Sequence, residues 1–216
     1  MYKFTRNEIR DLIIAFIVLT IAFAIASSRL DAHIFISLLP IVMISVVIGS
    51  LLHEVGHKFV AMKYGYKAEF KAWPLGLLIS IASAFTGMVF AMPGSVSTYA
   101  DNITDEINGK ISIAGPMANM SIALVFIAIA VLIYPFKSYS TIFTLMYLIC
   151  TVGFSVNNFL ATFNLLPLYT LDGTKVLKWS AKNWIIIFAI ATVMLLTSIT
   201  IGAENMVQLI IEQSII

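Results

Sequence analysis

Residues 34–52 contain no charged side chain. No other property limits the fold of this chain more. As a helix, a run of that length crosses the roughly 30 Å hydrocarbon core of a bilayer. Similar runs occupy residues 12–26, 34 to about 62, 111 to about 134, about 139 to 167, and 184 to about 203. Backbone polar groups in lipid must be satisfied within the protein, and these runs lack the polar–apolar alternation of barrel strands. The expected fold is therefore an all-α polytopic membrane protein with about five to six transmembrane helices. Composition agrees: 60% of residues are hydrophobic and 11% charged, against about 25% charged in soluble domains. The net charge of +2 comes without a basic surface interleaved with aromatics, so no nucleic-acid partner is expected. Cys150 has no second cysteine to pair with and reads as a small packing residue.

The second run ends in His53-Glu54-Val55-Gly56-His57, an H-E-x-x-H pattern. Residues four apart share one helical face, so both imidazoles can point at one ion. Imidazole suits zinc, and catalytic zinc takes three protein ligands and keeps a position for water, whose pKa it lowers toward ~7. Glu54, between the histidines, is placed to accept a proton from that water. Ionisable groups at membrane depth are costly and mark function. His33, in the turn before this run, is about 30 Å away along a helix and reads as a surface residue.

Residues 1–11 are polar and basic, and the first run reads as a retained span, although Ala24-Ile25-Ala26 resembles a signal-peptidase site. Pro40 and Gly49 are candidate kinks in the second. Residues 74–93 are apolar but bounded by prolines and interrupted by Gly76 and Gly87. If this stretch crosses, the ends of the second and fourth runs face opposite leaflets. If it dips in and returns, Lys3, Arg6, Arg10, Lys58 to Lys71, Lys110 and Lys175 to Lys182 share the cytoplasmic side, leaving Arg29 and Lys137 outside. That is a positive-inside pattern, and a re-entrant hairpin is expected. Ala114-Gly115-Pro116 opens the third run with small residues that allow close helix approach. Trp179 and Trp184 suit an interfacial belt, and residues 204–216 form an amphipathic segment suited to the surface. No repeat or linker is evident, so one domain over residues 1–216 is expected.

Two histidines leave a ligand missing. Asp172 is the best candidate, at the inner end of the fourth run, where Pro167 must interrupt the helix and Gly173 permits unusual backbone. Capping of the next helix is the ordinary use of such an aspartate. Asp101, Asp105 and Glu106 are alternatives, but they cluster in a polar stretch. Asn119 and Asn164 are polar groups inside runs, suited to substrate backbone or to bonds across helices.

His53-Glu54-x-x-His57, Ala114-Gly115-Pro116-x-x-Asn119 and Asn164-x-x-Pro167-x-x-x-Leu171-Asp172-Gly173 occur in that order. Together they resemble the site-2 protease family of intramembrane zinc metalloproteases over a core of residues 34–175. The resemblance implies His53, His57 and Asp172 as ligands of one zinc ion and Glu54 as the catalytic carboxylate. It also implies a substrate-binding role for Asn164, with Asn119 a further candidate, and a membrane-associated β-hairpin between the first two core spans. Many members carry proline where this chain has Thr170, and glycine where it has Thr174. No stretch is long enough for an inserted PDZ domain.

The expected activity is hydrolysis of peptide bonds within or next to transmembrane segments of other proteins, as in regulated intramembrane proteolysis. The partners are then a transmembrane protein or peptide and the lipid bilayer. The expected location is a prokaryotic plasma membrane, with the active site nearer the cytoplasmic side. The alternative is a non-enzymatic zinc-binding scaffold or a transporter. A transporter calls for repeated halves and a path across the bilayer.

Overall fold

The computed structural model describes residues 4–99, 102–168 and 171–214. Lys3, Asp101 and Thr170 lie outside the described residues. The elements in order are α1 (Arg6–Ser28), α2 (Ala32–Lys63), β1 (Lys67–Ala72), α3 (Pro74–Ala84), β2 (Gly94–Tyr99), α4 (Asp105–Ile133), α5 (Thr141–Asn164), α6 (Asp172–Trp179), α7 (Ala181–Thr200) and α8 (Ala203–Ser214). Among the described residues, five helices, α1, α2, α4, α5 and α7, are long and apolar enough to cross a membrane. The all-α polytopic expectation holds, with one small two-stranded sheet added. Side-chain oxygens cap most of the long helices: Thr5, Asp31, Thr104, Ser140 and Ser180 each accept from the first turn. α2 runs through Pro40 as one helix.

Residues 74–93 enter and return. The Trp73 N–H donates to the Pro93 carbonyl at 2.9 Å, so the two ends of the excursion lie side by side. Pro74 opens α3, where its missing N–H costs nothing. Gly76 carries no side chain because any Cβ would collide with the Met92 carbonyl and the Trp73 ring. The returning strand has no ladder partner, so serines on α3 satisfy its backbone. Ser80 Oγ donates to the Phe90 carbonyl at 2.8 Å, and Ser83 Oγ accepts from the Phe90 N–H at 2.9 Å. Irregular backbone at membrane depth requires such cover. Ala84, Val89 and Ala91 complete it by packing among Leu19 and Phe23 of α1, Val42 and Val46 of α2, and Leu160 and Phe163 of α5. The hairpin expected within this stretch takes a different form: its inner part is a helix and an extended return, and the strands flank it. β1 and β2 pair antiparallel, with Phe70 opposite Val96 and Ala72 opposite Gly94.

The outer edge of β1 is occupied. Glu8 of α1 accepts from the Phe70 N–H at 3.2 Å and Asp11 from the Ala72 N–H at 3.2 Å. Glu8, 2% exposed, also pairs with Lys58 Nζ at 2.6 Å. Lys58 is thus a buried residue of the H-E-x-x-H helix and not one of the loop lysines. One carboxylate thereby joins α1, α2 and the sheet. The C-terminal segment, expected as an amphipathic surface helix, packs one face on the bundle and leaves the other exposed. Ala203 and Val207 of α8 are buried with Phe126 and Ala130 of α4 and Tyr147, Cys150 and Phe154 of α5, because apolar faces of α4 and α5 meet there. Cys150 packs in that cluster, and His33 is exposed at the start of α2, as expected.

Candidate metal centre

α2 and α4 approach closely where both have glycine. A Cβ on Gly56 would sit 3.0 Å from the Ala114 carbonyl oxygen. At the same crossing, a Cβ on Gly115 would lie 2.6 Å from His53 Nε2 and would overlap His57 Nε2 as well. The absent side chain leaves a cradle between the two imidazoles.

The third wall comes from the break between α5 and α6. α5 ends at Asn164, and Pro167 cannot continue it. Gly173 sits so close to the end of α5 that any Cβ would overlap the Leu165 carbonyl. Close approach is therefore its role; φ is not positive there. Trp184 Nε1 donates to the same carbonyl at 2.8 Å, a bond that adds a structural role to its interfacial one. Thr174, standing where many family members have glycine, donates from Oγ1 to the Leu168 carbonyl at 2.7 Å and braces the break. Asp172 is the first residue of α6, after the N-cap Leu171, and its carboxylate turns toward His53 and His57 of α2.

His53 Nε2 lies 3.0 Å from His57 Nε2. Asp172 Oδ2 lies 3.3 Å from the former and 3.1 Å from the latter. All three residues are buried. Ligands ~2.0–2.1 Å from one tetrahedral ion lie ~3.3 Å from each other, so these three atoms fit a single zinc. The donor set, two imidazoles and a carboxylate, is zinc chemistry. Each ring also has a partner at its other nitrogen: His57 Nδ1 is 2.8 Å from the Ile111 carbonyl and His53 Nδ1 is 2.5 Å from Asn119 Oδ1. Metal-ligating histidines are oriented in this way. Burial alone pushes the Asp172 carboxyl up, and positive charge facing it from the His53 and His57 side pulls it down.

Glu54 lines the same cleft, a space of 680 Å³ that reaches the rim of β2. Its Oε2 is buried with no hydrogen-bond partner, a costly state unless a polar guest completes it. Asn164 lines the cleft with Nδ2 held by the Leu160 carbonyl at 2.9 Å. Asn119 also borders the cleft, fully buried behind His53, with its Oδ1 against that ring. Asp105 and Glu106 are exposed on the first turn of α4, with Glu106 paired to Lys110, so they stay clear of the centre. Lys175, read from sequence only as a topogenic charge, stands on the cleft wall 4.0 Å from Asp172 Oδ1. Its i, i+3 spacing from Asp172 on a helix was the available signal.

The description "Peptidase family M50" fits residues 40–152, a span that includes His53, Glu54, His57 and Gly115. A protein of Methanocaldococcus jannaschii named "Putative zinc metalloprotease" is 40% identical over 188 residues, covering 87% of this chain and 92% of that one. The chain belongs to Peptidase family M50. A "Zinc metalloprotease" from the same organism is 27% identical over 64% of this chain and 33% of its own length. A "Putative zinc metalloprotease" of Bacillus subtilis is 25% identical over 66% and 70%. No solved structure matches the chain. This M50 chain is a zinc metalloprotease built on helices long enough to span a membrane, and His53, His57 and Asp172 form a group able to hold a metal ion.

Proposed function

We propose that this chain hydrolyses peptide bonds within or next to transmembrane segments of other proteins, with the metal held by His53, His57 and Asp172 and with Glu54 moving the proton. The observation that carries the reading is the position of the centre. His53 lies ~15 Å from the inner end of α2 and ~31 Å from its outer end at 1.5 Å per residue. Three buried ligand atoms and an unpartnered carboxylate therefore meet partway along a helix long enough to cross a membrane. Zinc bound there supplies Lewis-acid polarisation of the scissile carbonyl and a more acidic water. Glu54 takes a proton from the attacking water and returns it to the amide nitrogen as the C–N bond breaks. The positive-inside charge pattern supports a centre nearer the cytoplasm, and the archaeal and bacterial relatives support a prokaryotic plasma membrane.

A helical substrate hides its scissile bond in backbone hydrogen bonds and must unwind. The β2 edge is suited to receive the unwound strand by strand addition. Because the N–H groups of Phe70 and Ala72 point outward to Glu8 and Asp11, their antiparallel partners Val96 and Gly94 also point outward. That outward edge borders the cleft. Val96→Pro removes one outward N–H without touching the ladder. Steady-state cleavage should show KM raised ~3–10-fold, the value of one hydrogen bond, with zinc content unchanged. An unaltered KM would place the substrate elsewhere.

The direct test is cleavage of a single-span reporter in detergent micelles. Chelation should stop cleavage and stoichiometric zinc should restore it. Zinc-loaded, folded protein that leaves a panel of single-span reporters intact would favour a metal-dependent scaffold instead.

A further inference from the structure

Behind His53 stands a buried polar relay that the reaction itself does not use. Asn119 Nδ2 donates to the Gly49 carbonyl at 3.1 Å and to Asn157 Oδ1 at 2.9 Å. Asn157 Nδ2 donates to the Gly153 carbonyl at 2.8 Å. Both amides are fully buried, at 0% exposure. We propose that Asn157, which bonds to no metal ligand, fixes the tautomer of His53 by holding Asn119 in one orientation, so that the two asparagines are positioning residues of the metal centre. The inference rests on the zinc reading of that centre.

The two ends of a carboxamide have the same shape and opposite hydrogen-bonding character, so orientation is set by partners. Here the partners at the far end are backbone carbonyls, which can only accept. If Asn157 flipped, an oxygen would face the Gly153 carbonyl and an N–H pair would face Asn119 Nδ2. If Asn119 flipped, an oxygen would face the Gly49 carbonyl. Each wrong state leaves buried acceptors opposed, so both amides are locked. Asn119 Oδ1 is then the atom that meets His53 Nδ1, and Nδ1 must carry the ring proton.

This matters because His53 has a competing choice. A proton on Nε2 would donate to Asp172 Oδ2, 3.3 Å away, and close the cradle against a cation. The relay disfavours that tautomer by setting a bare Nδ1 against Asn119 Oδ1. His57 needs no such device, since its Nδ1 faces the Ile111 carbonyl directly. The relay draws on three core spans: Gly49 from α2, Asn119 from α4, and Asn157 with Gly153 from α5. Gly49 must lack a side chain for it, because a Cβ would overlap Asn157 Oδ1.

The test compares zinc loss to excess chelator from wild type, Asn157→Leu, Asn119→Leu and the double variant, each confirmed folded by thermal melting. Each single variant should lose zinc ~10–100-fold faster, the usual effect of removing an orienting partner. The double variant should lose it no faster than Asn119→Leu, because Asn157 acts through Asn119. The d–d spectrum of the cobalt-substituted protein should shift in both singles. Wild-type zinc retention in Asn157→Leu, or a double variant showing the product of the two losses, would overturn the relay. Independently of variants, 15N spectra of metal-free wild type should show His53 protonated at Nδ1; protonation at Nε2 would overturn it too. A folded wild type that binds no zinc would sink the metal-centre reading, while the 15N spectra would still decide the tautomer claim.

Discussion

Glu54→Gln should abolish cleavage of a transmembrane reporter and leave one zinc ion bound. The carboxylate is not one of the three clustered ligand atoms, so the metal has no reason to leave. Glutamine keeps the size of the side chain and removes its ability to take a proton. General-base removal costs ~10²–10⁴-fold in rate. Because no hydrogen bond holds Oε2 in place, little structural disturbance accompanies the loss. Cleavage and bound zinc are measured on the same preparation. Cleavage at the wild-type rate would point to a contaminating protease and remove Glu54 from the mechanism. Loss of zinc together with activity would make Glu54 a ligand.

The second large effect comes from the smallest substitution. Gly115→Ala should empty the metal centre without unfolding the helix that carries it. Alanine is the better helix former by ~1 kcal/mol, so α4 gains local stability. The added Cβ would point between the imidazoles, 2.6 Å from His53 Nε2 and against His57 Nε2, where the ion belongs. Neither ring can retreat easily, since each is tied at its Nδ1 to Asn119 or to the Ile111 carbonyl. The expected result is zinc content below ~10% of wild type, with cleavage lost in proportion. Elemental analysis of the folded, detergent-solubilised variant checks it. Stoichiometric zinc in Gly115→Ala would mean that the ion does not sit in the cradle.

These two variants divide the site by the kind of information behind it. The importance of Glu54 is readable from one turn of sequence. Helical geometry puts residues four apart on one face, so His53 and His57 announce a shared ligand and Glu54 its proton acceptor. The spans are readable for a similar reason: a bilayer of fixed thickness requires long uncharged runs, and five of them became helices. The re-entrant stretch followed from requiring His57 and Asp172 to share a leaflet. The structure meets that requirement by joining Trp73 to Pro93.

Long-range packing decided the rest. Gly115 reads in sequence as a generic small residue for helix contact; only the crossing with α2 shows that its missing side chain is the metal cradle. Asn119 reads as an interhelical bond before a substrate ligand, and its direction depends on where α2 and α5 lie around α4. Glu8 reads as part of a solvated N-terminal stretch, yet it is buried against Lys58 and the edge of β1. α8 reads as an amphipathic surface helix, but that its apolar face, with Val207, meets α4 and α5 is not readable from it. Periodicity and span length are local properties, imposed by backbone geometry and membrane thickness, and one stretch of chain expresses them alone. The partner of a buried polar group, or of a glycine without a side chain, is a meeting between residues far apart in sequence. Only the crossing points of the packed helices specify it.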